Sequence, residues 1–118
     1  MGKKVLIADD SLTLLTKCKV ILGKANYEVF TSDNGIEAVE KFEQIRPDVL
    51  VIDHQMPKMD GVEASRQIRK KFGDAKIILL TGTGQNWLRD QAKDAGIAKF
   101  LEKPFDDKEL LDTIHSLI

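Results

Sequence analysis

Three short segments of the chain are almost wholly apolar and do not alternate with polar residues. They cover residues 5–8, 49–52 and 77–80. A strand built from such a segment is buried on both faces, which is typical of the central strands of a parallel sheet. Two more polar segments, residues 28–31 and 99–102, are predicted to form edge strands, because an edge tolerates polar side chains better.

Between these segments, apolar residues recur with the period of an α-helix. The pattern predicts five helices, at residues 11–22, 36–45, 62–72, 87–95 and 107–118. Pro47 follows the second helix and Gly73 follows the third, and both residue types commonly stand just beyond a helix end. Asp106 and Glu109 have the spacing of a capping box at the start of the fifth helix.

A strand followed by a helix, five times over, predicts an α/β fold with a parallel sheet and right-handed crossovers. If the three apolar strands are central, strands 1, 3 and 4 lie inside the sheet, and strands 2 and 5 form its edges. The strand order 2-1-3-4-5 satisfies this condition. It is the flavodoxin-like order, a (βα)5 arrangement with helices on both faces of the sheet.

Composition narrows the class of protein. The 118 residues carry 18 Lys and Arg against 19 Asp and Glu, so there is no basic excess to indicate direct nucleic-acid or membrane-surface binding. No apolar stretch approaches the about 20 residues that span a bilayer, and none near the N-terminus is long enough for a signal peptide. Cys18 is the only cysteine, so an internal disulfide is impossible. We expect one cytoplasmic domain over residues 1–118.

Polar residues gather where the predicted strands end. Asp9 and Asp10 follow strand 1, Asp53 follows strand 3, Thr81 follows strand 4 and Lys103 follows strand 5. In a parallel sheet these ends share one rim, and ligands bind there at the point where the strand order reverses. That point lies between strands 1 and 3, so the sequence predicts a site built around three carboxylates.

Each aspartate alone could serve a structural role, for example by favouring a helix N-terminus through the helix dipole. Three carboxylates at one rim repel each other, however, and need positive charge nearby. Lys103 supplies one charge, and a hard cation with oxygen ligands, Mg²⁺, could supply the rest. A carboxylate, Mg²⁺, an ammonium group and the hydroxyl of Thr81 are the groups that phosphoryl transfer uses.

These residues and their spacing resemble the receiver domains of two-component response regulators. The resemblance covers essentially the whole chain. It is carried by Asp9-Asp10, by the segment Asp-His-Gln-Met-Pro-Lys-Met-Asp-Gly at residues 53–61, by Thr81, and by Lys103-Pro104-Phe105.

The resemblance implies a role for each site residue. Asp53 would be the phosphoacceptor that forms an aspartyl phosphate, assisted by Lys103 and Thr81, which contact phosphoryl oxygens. The Mg²⁺ ligands would be Asp10, Asp53 and the backbone carbonyl of Gln55, with Asp9 acting mainly through bound water. Phe100 falls at the family's aromatic switch position, and Lys103-Pro104 would be a cis peptide.

The resemblance also implies partners. A sensor histidine kinase or a phosphotransfer protein would donate the phosphoryl group from a phosphohistidine. Movement of Thr81 and Phe100 would then change the face formed by helix 4, strand 5 and helix 5, which docks a downstream target protein. Such a receiver is a signalling phosphoprotein in a phosphorelay; it is expected to catalyse only its own phosphorylation and dephosphorylation.

Two alternatives from other classes also use parts of this pattern. A haloacid-dehalogenase-like phosphohydrolase forms an aspartyl phosphate too, but its nucleophile lies on the first strand in an Asp-x-Asp pattern, whereas Asp9 and Asp10 are adjacent here. A flavin-binding module is suggested by the segment at residues 81–86, which resembles the phosphate loop of flavodoxins but follows strand 4 instead of strand 1.

Two aromatic residues near the rim, His54 and Trp87, are expected to have structural and not chemical roles. His54 follows Asp53, and strand alternation predicts a side chain on the opposite side, with a packing role. Trp87 opens helix 4 and is expected to be packed or partly exposed. The sequence leaves open whether the chain acts alone or belongs to a longer regulator or hybrid kinase.

Overall fold

The computed structural model describes residues 2–82 and 87–118, in which strands and helices alternate along the chain. The strands are β1 (Lys4–Ala8), β2 (Glu28–Ser32), β3 (Val49–Asp53), β4 (Ile77–Thr81) and β5 (Lys99–Glu102). The helices are α1 (Leu12–Lys24), α2 (Gly35–Ile45), α3 (Gly61–Lys71), α4 (Leu88–Asp94) and α5 (Asp107–His115). Among these residues, no helix is both long and apolar enough to cross a membrane.

The five strands form one parallel sheet in the order β2-β1-β3-β4-β5, which confirms the predicted fold class. Both predicted edge strands lie at the edges. The register aligns the carboxyl ends of neighbouring strands: Asp53 of β3 lies beside Leu80 of β4, and Thr81 lies beside Glu102 of β5. The residues that follow the strands therefore meet at one rim.

The sheet is covered on both faces, which explains the non-alternating apolar segments. Every residue of 5–8, 49–52 and 77–80 is fully buried. Leu6, Leu50 and Leu79 point to the face that packs against α2, α3 and α4. Their neighbours Ile7 and Val51 point to the opposite face, which packs against α1 and α5. Since successive strand residues point to opposite faces, both sets must be apolar.

Side-chain caps start four of the helices. Ser11, Asn34, Asp60 and Asp106 each accept a hydrogen bond from the backbone N–H group three residues further on. Asp106 and Glu109 form the predicted capping box. These caps satisfy N–H groups that have no partner within the helix, so they define where each helix begins.

Helix boundaries differ from the sequence prediction by one to three residues, and most at the ends of α1 and α5. The first helix continues beyond its last buried residue, Leu22, as far as Lys24. The fourth is one residue shorter at each end: Trp87 occupies the N-cap position without a capping side-chain bond, and Ala95 is the C-cap. The fifth ends at His115, and Leu117 and Ile118 pack against the core from outside the helix. Apolar spacing locates a buried face, whereas hydrogen bonding sets the helix end.

The buried central strands lead to a stability prediction. We expect Leu50→Ala to lower the free energy of unfolding by about 2–5 kcal/mol, because the side chain is fully buried in β3 and its loss leaves a cavity. Leu12→Ala is the matched control: that side chain is 77% exposed, so the change should stay within about 0.5 kcal/mol. Urea denaturation followed by circular dichroism measures both; equal losses would contradict the placement of the core.

Candidate functional site

Three carboxylates meet at the carboxyl ends of two adjacent central strands. Asp9 and Asp10 follow β1, and Asp53 is the last residue of β3. One carboxylate oxygen from each lies within 4.8 Å of the others. In the sheet, β2 lies beside β1 and β4 lies beside β3, on opposite sides of this central pair. The carboxylate cluster therefore lies where the strand order reverses. This is the position predicted for the site.

Lys103 reaches the carboxylates from beyond the end of β5. Its Nζ atom lies 2.7 Å from Oδ2 of Asp9 and 3.2 Å from Oδ1 of Asp53. Its backbone N–H group donates a hydrogen bond to the carbonyl oxygen of Thr81 at 2.7 Å, and the Lys103–Pro104 peptide bond is cis. One ammonium group is therefore shared between two carboxylates that approach from different strands.

The two aspartates after β1 have different surroundings. Asp9 is only 1% exposed, and its second carboxylate oxygen, Oδ1, accepts a hydrogen bond from the backbone N–H group of Ser11 at 2.9 Å. Asp10 is exposed to solvent. The carboxylate of Asp9 is thus held by the protein, while that of Asp10 is open to a ligand from outside.

The charges of the site act on each other. Burial raises the pKa of Asp53, and the charge of Asp9 raises it further; Lys103 and the backbone amide of His54 oppose this shift without cancelling it. Burial acts to lower the pKa of Lys103, but its hydrogen bonds and charge interactions with Asp9 and Asp53 raise it overall. Three carboxylates and one ammonium group meet here, so a bound cation would supply further positive charge.

The loop after β3 approaches the site closely enough to exclude a side chain. A Cβ atom at Gly61 would overlap the backbone carbonyl oxygen of Asp53. The Gly61 N–H group donates to the carbonyl oxygen of His54 at 2.8 Å, and Asp60 caps the helix that starts here. Glycine at this position therefore allows the N-terminus of α3 to pack directly behind the strand end that carries Asp53.

A small pocket opens beside the carboxylate cluster. Its volume is about 190 Å³, and it is lined by Asp53, His54, Gln55, Gly82 and Lys103. Gln55 is itself exposed. The ends of β3 and β4 and the lysine after β5 therefore surround one pocket.

The two predicted switch residues lie at increasing distance from the rim. Thr81 is buried at the end of β4, one residue beyond the position paired with Asp53. Phe100 lies in β5, is partly buried, and packs against the core beneath α4. The guanidinium group of Arg89 in α4 stands over its ring at 4.9 Å. Phe100 is thus in contact with a helix that borders the rim.

One contact near the rim was not predicted. The ring of His54 meets the edge of the Trp87 ring, with centroids 5.8 Å apart and planes at 81°. The packing role expected for His54 agrees with this contact, and Trp87 is 60% exposed. Nothing in the sequence pairs these residues, because the contact joins the loop after β3 to the start of α4. Of the flavodoxin-like segment at 81–86, residues 83–86 lie outside the described part of the chain.

The profile of the response regulator receiver domain matches residues 5–115, nearly the full length of the chain. This chain belongs to the response regulator receiver family. The family consists of signalling receivers of two-component systems, not of classical enzymes, and the match favours this class over the dehalogenase-like and flavin-binding alternatives.

Individual relatives agree with the family match. The chain is 38% identical over 118 residues to the chemotaxis protein CheY of Thermotoga maritima, covering 99% of this receiver and 98% of that protein. The structure of chemotaxis protein CheY4 of Vibrio cholerae superposes with a TM-score of 0.95 at 32% identity, with both chains covered completely.

A third relative is a receiver domain of a sensor histidine kinase from Pseudomonas aeruginosa. Its crystal structure contains a magnesium ion coordinated in the active site cleft. It superposes with a TM-score of 0.90 at 29% identity, covering 99% of this chain and 98% of that one. The fold of this chain is therefore shared by a chemotaxis protein and by a domain of a sensor histidine kinase.

The electrostatics of the receiver site lead to a prediction about stability and pH. Because the pKa of Asp53 is higher in the folded chain than its ordinary value, the folded state binds the proton more tightly, and stability falls as pH rises through the raised pKa. We expect Asp53→Asn to raise the urea midpoint at neutral pH, since Lys103 keeps its partner Asp9. The gain should shrink as the pH is lowered and Asp53 in the unsubstituted chain becomes protonated.

Urea titrations from neutral to acidic pH test this expectation. Asp112→Asn serves as the control, because that side chain is 60% exposed and its pair with Lys108 contributes little. A lower urea midpoint for Asp53→Asn at neutral pH, or a gain that does not vary with pH, would show that ionised Asp53 does not destabilise the folded state.

Proposed function

We propose that this receiver is a phosphorylation-dependent switch in which Asp53 accepts a phosphoryl group. The observation that carries the proposal is the position of Asp53: its carboxylate lies at the rim, beside the carboxylates of Asp9 and Asp10 and 3.2 Å from Nζ of Lys103. A nucleophilic carboxylate next to a fixed ammonium group and an acidic cluster is suited to phosphoryl transfer, since that reaction depends on positioning and on charge stabilisation.

The cluster fits Mg²⁺ in its donor chemistry. Oxygen ligands from Asp9, Asp10 and Asp53 are what this hard cation prefers, and one or two direct carboxylates usually suffice. Asp10 and Asp53 are proposed as direct ligands with the backbone carbonyl of Gln55, and Asp9 as a ligand acting mainly through water. When bound, Mg²⁺ supplies positive charge that stabilises the phosphoryl oxygens.

The residues of the chain then have distinct tasks in the transfer. A carboxylate oxygen of Asp53 attacks the phosphorus of a phosphohistidine in line, and the phosphorus–nitrogen bond breaks with its electron pair remaining on the donor imidazole. Lys103, already at hydrogen-bond distance from Asp53, neutralises one phosphoryl oxygen. Thr81 donates its hydroxyl group to another. Gly61 keeps the backbone behind Asp53 free of a side chain.

Phosphorylation is proposed to change the surface formed by α4, β5 and α5. Thr81 moves toward the phosphoryl group, and Phe100 follows, which shifts an existing equilibrium of the face formed by α4, β5 and α5. The proposed partners are a sensor histidine kinase or phosphotransfer protein as donor, and a downstream target protein that docks on this face. The proposed setting is the cytoplasm, with no direct role for nucleic acid or membrane.

Phosphoryl uptake tests the role of Asp53. Incubation with a small-molecule donor such as phosphoramidate should add one phosphoryl group to the protein, detected by intact-protein mass spectrometry. Asp53→Asn should take up none, because an amide lacks the nucleophilic carboxylate, while the exposed-residue control Asp112→Asn should react like the unsubstituted chain. Uptake by Asp53→Asn at the normal rate would refute the assignment; rapid steady turnover of a phosphate ester would favour the hydrolase alternative.

Metal dependence tests the acidic cluster. Removal of Mg²⁺ with a chelator should abolish phosphoryl uptake without unfolding the protein, because the carboxylates then lack their counter-charge. Asp10→Asn should weaken Mg²⁺ binding by about tenfold or more, a loss typical of groups around a metal site. Isothermal titration measures the affinity and circular dichroism verifies the fold. Unchanged Mg²⁺ affinity in Asp10→Asn would remove this residue from the ligand set.

A further inference from the structure

The start of α4 is connected to the phosphoacceptor loop by one aromatic contact. Trp87 occupies the N-cap position of α4, where it makes no side-chain capping bond. Although 60% exposed, its ring is met edge to face by that of His54, the residue directly after Asp53. The contact therefore joins the site to a helix that begins the proposed output face.

The backbone of His54 is hydrogen-bonded on both sides, whereas its ring atom Nδ1 makes no hydrogen bond to the described residues. Its N–H group donates to the carbonyl oxygen of Leu80 at 3.1 Å, and its own carbonyl oxygen accepts from Gly61. The ring atom Nδ1 is buried and has no hydrogen-bond partner among the described residues. The edge-to-face contact with Trp87 is a ring interaction that the structure records for this imidazole.

The position of His54 matters to Asp53 for two reasons. His54 is one of the residues lining the pocket beside the carboxylate. It also follows Asp53 directly in the chain, and its backbone N–H group is fixed to β4 by the hydrogen bond to Leu80. A displacement of the His54 ring would be transmitted through its own backbone to the group that receives the phosphoryl group.

We propose that Trp87 is a positioning residue for the phosphoacceptor loop: by contact with His54 it holds the residue after Asp53 and couples occupancy of the site to the first turn of α4. The inference rests on the proposed function, because it assigns a second route from Asp53 to the output face. The route through Thr81 and Phe100 reaches α4 at Arg89; the route through His54 reaches it at Trp87.

The chain contains a single tryptophan, so its fluorescence reports this contact directly. The probe is beryllofluoride with Mg²⁺, a phosphoryl mimic whose binding is measured independently by isothermal titration calorimetry. The variants are His54→Ala, His54→Phe, Trp87→Ala and the double variant His54→Ala/Trp87→Ala. His54→Phe keeps a ring at the contact and separates ring packing from imidazole chemistry.

We expect beryllofluoride to change the Trp87 emission of the unsubstituted chain. His54→Ala should still bind the mimic but lose the emission change, whereas His54→Phe should retain it. His54→Ala and Trp87→Ala should each weaken binding by about two- to tenfold, the range expected for one aromatic contact. The double variant should bind no more weakly than either single variant, because both remove the same interaction.

A second histidine pair provides the matched control. His115 and Tyr27 have ring centroids 5.7 Å apart, and Tyr27 precedes β2 at the amino end of the sheet, away from the site. His115→Ala should leave the emission change and the affinity as they are. If it matches His54→Ala, or if the effects of His54→Ala and Trp87→Ala add, the proposed coupling is wrong.

The outcomes also separate this inference from the proposed function. A chain that binds beryllofluoride and takes up a phosphoryl group, but shows no emission change, contradicts only the positioning role of Trp87. A chain that neither binds the mimic nor becomes phosphorylated contradicts the proposed function, and the coupling with it.

Discussion

The arrangement of this receiver depends on one ammonium group shared by two carboxylates. Lys103 lies between Asp9 and Asp53, and it stands 94 residues from Asp9 in the chain. The pairing joins the ends of β1 and β3 to the segment after β5, so the rim closes around the pocket. Burial and the charge of Asp9 still raise the pKa of Asp53 against the opposing effect of Lys103. Three carboxylates around one ammonium group provide the oxygen donors that a hard cation such as Mg²⁺ prefers.

The parallel sheet makes this arrangement possible at little structural cost. Because all strands run the same way, their carboxyl ends meet at one rim, and apolar side chains elsewhere in the strands supply the stability. The acidic residues lie just beyond the buried segments, where β1 and β3 end. Stability and chemistry are thereby separated along each strand: the interior of β3 packs, and its last residue, Asp53, faces the pocket.

Features set by residues close together in the sequence could be predicted, whereas features set by contacts between distant segments could not. The apolar segments predicted β1, β3 and β4, because burial on both faces leaves a direct trace in composition. The capping box of Asp106 and Glu109 was also readable, since both residues lie in one helical turn. The ends of α1 and α5 were not, because hydrogen bonding and not apolar spacing sets where a helix stops. The contact between His54 and Trp87 was missed for a related reason: it joins two loops whose approach is set by packing.

The sequence by itself determined the fold class, the strand order, the family resemblance and the residue types at the rim, because each follows from periodicity, strand-end position or motif spacing. Only the tertiary structure decided which of these residues touch. It placed Lys103 between two aspartates, buried Asp9 while leaving Asp10 exposed, and set the ring of His54 against Trp87. Such contacts depend on how distant segments pack to within an ångström, and no periodicity along one chain records that.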